Sequence, residues 1–274
     1  METGSREKSI LGRIVAMRRE SIAHRKRVLP EIALKIAVEK KAPKVRDFAG
    51  ALSRNGLNVI AELKKASPSR GVLREEYAPA ALASSVTRGG AAAISVLTEE
   101  DFFHGSLADL KEARAVVEVP ILRKDFIIDP WQIWEARAAG ADSFLLIAAI
   151  LTDAELREFQ DLGRSLGMEP LVEIHSREEL DRALTVGAKI IGVNNRDLHT
   201  FQVHLETSLM LVEFIPEDCI GVSESGIHGH DDIARLRRAG FDAFLIGEQL
   251  MKGEDPGREL HALLTGPGAG KPAA

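Results

Sequence analysis

The sequence predicts an α/β chain folded as a (β/α)8 TIM barrel with an N-terminal helical extension. Two observations carry this. From Asn58 onward, eight short apolar runs alternate with helical segments; they centre near Ile60, Ala93, Ile121, Leu145, Val172, Ile191, Ile220 and Leu245. Their intervals of roughly 20 to 33 residues suit a repeating strand–helix unit and a parallel sheet. The second observation is where the polar residues fall. Glu62 and Lys64, Lys124, Glu173, Asn194 and Arg196, and Glu224 all stand where an apolar run ends. Closing the sheet brings those ends to one mouth, whereas an open doubly wound sheet would spread them along an edge tens of ångströms wide.

Taken in order, residues 1–46 form the extension. Ile10, Ile14 and Met17, then Leu29, Ile32, Ala33 and Ile36, recur at helical spacing, which predicts two helices between Ser9 and about Lys41. Pro30 suits the first turn of the second helix and Pro43 ends it. The cluster Arg25-Lys26-Arg27 reads as a solvated face. Residues 47–264 form the barrel. Its predicted helices include Tyr77 to Arg88, Ser106 to Val117, Trp131 to Ala139, Asp153 to Leu166, Arg177 to Val186 and His230 to Ala239. Gly89, Gly140, Gly167, Gly187 and Gly240 follow helix ends, as expected where the chain turns back to a strand. One last helix is expected from Glu248 to Leu264. The Gly-, Pro- and Ala-rich residues 265–274 read as a disordered tail.

Composition narrows the function. The 274 residues carry a formal charge of −5, without the basic surplus of a nucleic-acid binder. No apolar run approaches the roughly 18 residues of a membrane span, and Met1 to Lys8 lacks the pattern of a secretory signal, so a cytoplasmic protein is expected. The single cysteine, Cys219, lies in an apolar run and reads as a core residue. The eight histidines show no zinc-type spacing; His228 and His230 fit a helix start, and no metal is expected.

Glu62 and Lys64 share one strand face at a strand's C-terminal end, where an unpartnered charge is costly to bury. A structural ion pair and a reactive site both fit. Ser223-Glu224-Ser225-Gly226 after the seventh run, and Gly247-Glu248 after the eighth, each precede a predicted helix. That is the usual place for a barrel phosphate site. Phe126 fits either a pocket wall or the core. The pattern suits a phosphorylated small-molecule substrate.

Four motifs, Glu62-x-Lys64 with Ser67-Pro68-Ser69, Lys124-Asp125-Phe126, Asn194-x-Arg196-Asp197-Leu198 and Glu224-Ser225-Gly226, occur in an order that resembles the indole-3-glycerol phosphate synthase family, from about Arg46 onward. The resemblance implies closure of an indole ring in tryptophan biosynthesis, with loss of carbon dioxide and water and no organic cofactor. It implies Lys124 as general acid and Glu173 as catalytic base; the apolar neighbours of Lys124 in the sequence are expected to lower its pKa, while a lysine snorkelling out of the strand end fits the motif equally. Lys64 joins later proton transfers, while Glu62, Asn194 and Glu224 position sugar hydroxyls and the lysines. Ser67 and Phe126 contact substrate, and Arg196 takes an anthranilate carboxyl group. Phosphate falls to Ser225, Gly226, Gly247 and the backbone of Glu248. Gln249 departs from the small residue common in relatives. The extension covers the mouth, and the expected state is a monomer with weak association to other tryptophan-pathway enzymes. A Schiff-base aldolase using Lys124 or Lys64, and a non-catalytic phosphometabolite-binding barrel, remain as alternatives.

Overall fold

A computed structural model describes residues 10–197 and 200–266. Eight strands close a parallel barrel in which each pairs with its neighbours in sequence and the first meets the last. They are β1 (Asn58–Leu63), β2 (Ala93–Leu97), β3 (Ile121–Lys124), β4 (Ser143–Ile147), β5 (Leu171–Ile174), β6 (Ile190–Asn194), β7 (Ile220–Glu224) and β8 (Ala243–Ile246). Each expected centre lies within its strand. The seam is set by Asn58 opposite Ala243 and Ile60 opposite Leu245.

Two apolar layers explain why the strands are apolar on both faces. Ile60, Leu122, Leu145, Leu171, Ile190 and Val222 fill the barrel interior. Their alternates, such as Val59, Ile94, Phe144 and Val172, pack outward against the helices. The strand starts are stoppered by α3 (Phe48–Leu52), whose Phe48 and Leu52 join the interior cluster. Asn58 ties this end together by donating its side-chain amide to the carbonyls of Leu52, Arg54 and Asp242.

The extension forms α1 (Ile10–Val28) and α2 (Glu31–Lys41), with Pro30 one residue outside the second helix rather than within its first turn. Of the basic cluster, Arg27 is exposed as a solvated face should be, but the other two residues are paired. Arg25 pairs with Glu135 and Lys26 with Asp129, at 2.7 Å for the latter. Asp129 caps α6 (Pro130–Ala139), and Glu135 belongs to it. Trp131 of α6 donates its indole N–H to the Leu29 carbonyl, and packs with Ile22 and Leu34. These partners come from a helix about a hundred residues later, so local charge pattern did not disclose them.

The other barrel helices are α4 (Pro79–Arg88), α5 (Leu107–Val116), α7 (Asp153–Ser165), α8 (Arg177–Thr185), α9 (Glu206–Leu211), α10 (His230–Ala239), α11 (Glu248–Lys252) and α12 (Pro256–Thr265). Three differ from expectation. α3 and α9 are one-to-two-turn segments too short for a periodic signal. The expected final helix is two, because Pro256 cannot continue a helix and Asp255 instead caps a new one through the N–H groups of Gly257 and Arg258. Thr265 is still helical, and residues 267–274 of the expected tail lie outside the described residues, as does Met1 to Lys8. Cys219 is buried, as a core residue should be, and burial pushes its thiol up. Among the described residues, no helix is long and apolar enough to cross a membrane.

Candidate active site

One cavity opens at the C-terminal ends of the strands, and it collects every site residue named from the sequence. Glu62 and Lys64 arrive from β1, Lys124 and Phe126 from β3, Glu173 from β5, Asn194 and Arg196 from β6, and Glu224, Ser225 and Gly226 from β7. Gly247 and Glu248 follow β8, and Ser67 lies in a short antiparallel pair after β1, opposite Gly71. Ile10, Leu11 and Ile14 of α1 line the same cavity from the extension.

Lys124 is the centre of charge. Its Nζ lies 2.7 Å from Glu173 Oε2 and 2.9 Å from Glu224 Oε2. The expectation of a lowered lysine pKa is therefore overturned. Burial acts to lower it, but Glu173, Glu224 and Glu62 together outweigh burial and hold the ammonium well above the ordinary lysine value. Apolar strand residues flank Lys124 in sequence, whereas the acids that face it come from other strands. Burial also acts to raise Glu173, but Lys124 and His175, with an Asn194 side-chain hydrogen bond, bring it down to about 2. Glu224 goes the other way, up to about 7, through burial and the like charges of Glu173 and Glu62, which overcome Lys124. A carboxyl group raised in this way keeps its proton in the folded protein where the unfolded chain has lost it. Its contribution to stability is thus full below the ordinary carboxylate value and is lost as pH rises towards about 7.

Two glycines make room for these carboxylates. A Cβ on Gly192 of β6 would stand 2.1 Å from Glu224 Oε1, and one on Gly247 would stand 2.5 Å from Glu62 Oε1. Glu62 in turn accepts from Lys64 Nζ at 2.7 Å. At the end of β7 the backbone turns left-handed at two consecutive residues, Ser225 (φ 66°) and Gly226 (φ 78°). Such strain in a non-glycine residue is typical of functional turns, and a concave run of backbone amides favours anions.

Residues 11–263 match the family model described as indole-3-glycerol phosphate synthase. The chain belongs to that family. A synthase of this name from Burkholderia ambifaria is 48% identical over 255 residues, which cover 92% of this chain and 97% of that one. Another, from Variovorax paradoxus, is 46% identical over 262 residues, covering 93% and 98%. Among solved structures, a thiamine phosphate pyrophosphorylase from Pyrococcus furiosus superimposes with a TM-score of 0.57 at 18% identity, covering 77% of this chain and 95% of that one. That likeness shows the barrel fold alone.

Arg196, expected to face a substrate carboxyl group, lines the cavity with its Nη2 3.3 Å from Glu248 Oε2. Glu248 also meets Arg70 at 3.1 Å and Lys252 at 2.7 Å. The Glu248 carboxylate thus meets one nitrogen of the guanidinium that the indole-3-glycerol phosphate synthase reading reserves for an anion, and the other donates to the Phe201 carbonyl. Phe126 faces the cavity and meets Phe103 with ring centroids 6.0 Å apart.

Sequence reasoning missed Arg70, Phe103, Arg18 and His175. Arg70 follows Ser69 directly and was within reach. Arg18, 1% exposed, reaches from α1 to Asp125 Oδ2 at 2.5 Å, and Arg123 meets the same oxygen at 2.9 Å. Nothing near Arg18 in the sequence points to that partner. Among the described residues no group of three or more His, Cys, Asp or Glu is arranged to hold a metal ion.

Proposed function

We propose that this chain closes the indole ring of 1-(2-carboxyphenylamino)-1-deoxyribulose 5-phosphate, releasing carbon dioxide and water to give indole-3-glycerol phosphate. The observation that carries this reading is Lys124 held between Glu173 and Glu224 at the mouth of a family barrel. Lys124 donates its proton to the ketone oxygen. The carboxylate-bearing ring carbon then attacks, the carboxyl group leaves as carbon dioxide, and dehydration completes the ring.

A lysine whose proton is held so firmly in the empty site is a poor acid until something weakens its partners' hold. Substrate oxygens arriving at Glu224 and Glu173 supply that change, and the developing negative charge on the ketone oxygen draws the proton across. Glu173 is then the nearest base for the later transfers, with Lys64 held ready by Glu62. Arg196 takes the substrate carboxyl group once Glu248 releases it, a bidentate match that lysine would not offer. Phosphate sits at the turn of Ser225 and Gly226 and at Gly247 and Glu248. The extension covers the mouth, a reading supported by Ile10, Leu11 and Ile14 lining the cavity. The chain acts alone as a monomer, in the cytoplasm, with at most weak association to other pathway enzymes.

Incubating purified protein with the proposed substrate tests the reading: indole absorbance and fluorescence should appear, and a flat trace overturns it. The glycines offer a finer check. Gly247→Ala places a methyl group against Glu62, so kcat should fall along with the affinity for inorganic phosphate. Gly226→Ala adds strain at a positive φ and a Cβ 2.5 Å from the Val203 side chain, with no Lys124, Glu173 or Glu62 atom beside it, so it should raise KM and the phosphate inhibition constant more than it lowers kcat. Unchanged phosphate inhibition in both variants would place the anion elsewhere.

A further inference from the structure

His175 follows β5 directly, two residues beyond Glu173, and the mechanism above makes no use of it. Its imidazole is wedged between two carboxylates. Nδ1 lies 3.2 Å from Glu179 Oε2, and Nε2 lies 3.5 Å from Glu173 Oε1. Glu179 is fixed from three sides: it sits in the first turn of α8, its N–H is capped by Ser176, and its Oε2 also accepts the His175 backbone N–H at 2.7 Å. The side chain of His175 is 14% exposed, and Nε2 has no hydrogen-bond partner within reach.

A neutral imidazole has one N–H and one lone pair. Between the buried Glu173 carboxylate and the half-buried Glu179 carboxylate it would have to aim that lone pair at one of them. The imidazolium has an N–H on each side, one hydrogen-bonded to Glu179 and the other facing Glu173 Oε1 at ion-pair distance, 3.5 Å. The groups facing the ring agree. Glu173 comes from β5, Glu179 from α8 and Glu224 from β7. Burial disfavours the charged ring, but these three acids outweigh it and raise its pKa. The cation facing this cluster is Lys124 from β3, on the far oxygen of Glu173.

Glu173 therefore has Lys124 at Oε2 and the His175 ring at Oε1. They differ in one respect. Lys124 becomes neutral when it donates its proton, and Glu173 then loses its nearest positive neighbour at the moment it must act as a base. We propose that His175 is a positioning residue: an imidazolium locked by Glu179 that keeps Glu173 ionised while Lys124 is without its proton. This rests on the ring-closure reading and deepens it. No bond to His175 forms or breaks; it supplies charge.

The test joins a titration with a pH profile. In wild-type protein with labelled histidine, the His175 imidazole signal, assigned by its absence from His175→Asn, should report a charged ring at pH 7. Asn keeps a donor but not the charge. In His175→Asn, Glu173 loses one of the cations that depress it, so its value rises and the acid limb of kcat moves to higher pH. One unit of displacement makes kcat about tenfold lower at a pH on that limb, while KM, which depends on phosphate and carboxylate contacts, should change by less than about twofold. Glu179→Gln should free the ring to lose its proton at lower pH and move the acid limb in the same direction by less. A neutral His175 at pH 7 overturns the proposal without any assay of turnover. So does an active wild type whose His175→Asn variant keeps its acid limb in place. A wild type that forms no indole overturns the ring-closure reading and this proposal with it, which separates the two failures.

Discussion

Lys124→Ala should lose indole formation by roughly 10²-fold or more, the contribution of a positioned general acid. The loss alone would not distinguish ring closure from an aldolase, since both need a strand-end lysine. The distinguishing result is chemical. A lysine acting as acid never bonds to carbon, whereas a Schiff-base lysine forms an imine that borohydride reduces to a stable adduct. Wild-type protein treated with borohydride in the presence of substrate should keep its intact mass. The firm hold of two carboxylates on Lys124 supports this outcome, because a nucleophilic amine must first lose the proton that Glu173 and Glu224 stabilise. An adduct mapped to Lys124 or Lys64 would promote the aldolase reading. Substrate should still bind the variant through its phosphate and Arg196, so equilibrium binding that vanishes together with activity would also count against the assignment.

Arg18→Met should destabilise the fold by about 3 kcal/mol, the lower end of what removing one partner of a buried ion pair costs. The lower end applies because Asp125 keeps Arg123 at 2.9 Å and the Thr98 hydroxyl at 2.6 Å. Asp125 is already held below the ordinary carboxylate value by Arg18 and Arg123 against the effect of burial, so losing one cation weakens the fold most where the acid is ionised. Urea unfolding of the two proteins measures the difference. Equal midpoints and slopes would mean that the extension rests on the barrel without being fastened by this pair. Because Asp125 directly follows Lys124, kcat should also fall.

The sequence disclosed most of the barrel because its strands are apolar on both faces and short, a signal that survives without knowledge of partners. The strand-end acids and lysines stood out for the same reason: charge that interrupts an apolar run needs explanation. Charge state was less legible. The pKa of Lys124 depends on Glu173 and Glu224, which are 49 and 100 residues away, and the local run of apolar neighbours suggested a shift of the wrong sign. The same distance hid the docking of Arg18 and Arg25. α9 and the break before Pro256 were missed at a smaller scale, since a helix of six residues shows no periodicity and a capped restart resembles continuation. His175 stands two residues beyond Glu173 in the sequence, but one imidazole beside a glutamate gains meaning only when Glu179 is seen on its other side.

The partition of charge around Lys124 has a consequence for taking the molecule apart. A cut in the loop between β4 and α7 would leave Lys64, Lys124, Glu62 and the docked extension on the first fragment, and Glu173 and Glu224 on the second. Each half-barrel would then lose the ion pairs that Lys124 makes across the cut, leaving one side with Lys124 unpaired and the other with Glu173 and Glu224 short of their nearest cation. Recombination of the fragments would be selective for the native partner, and it would weaken as salt screens the encounter.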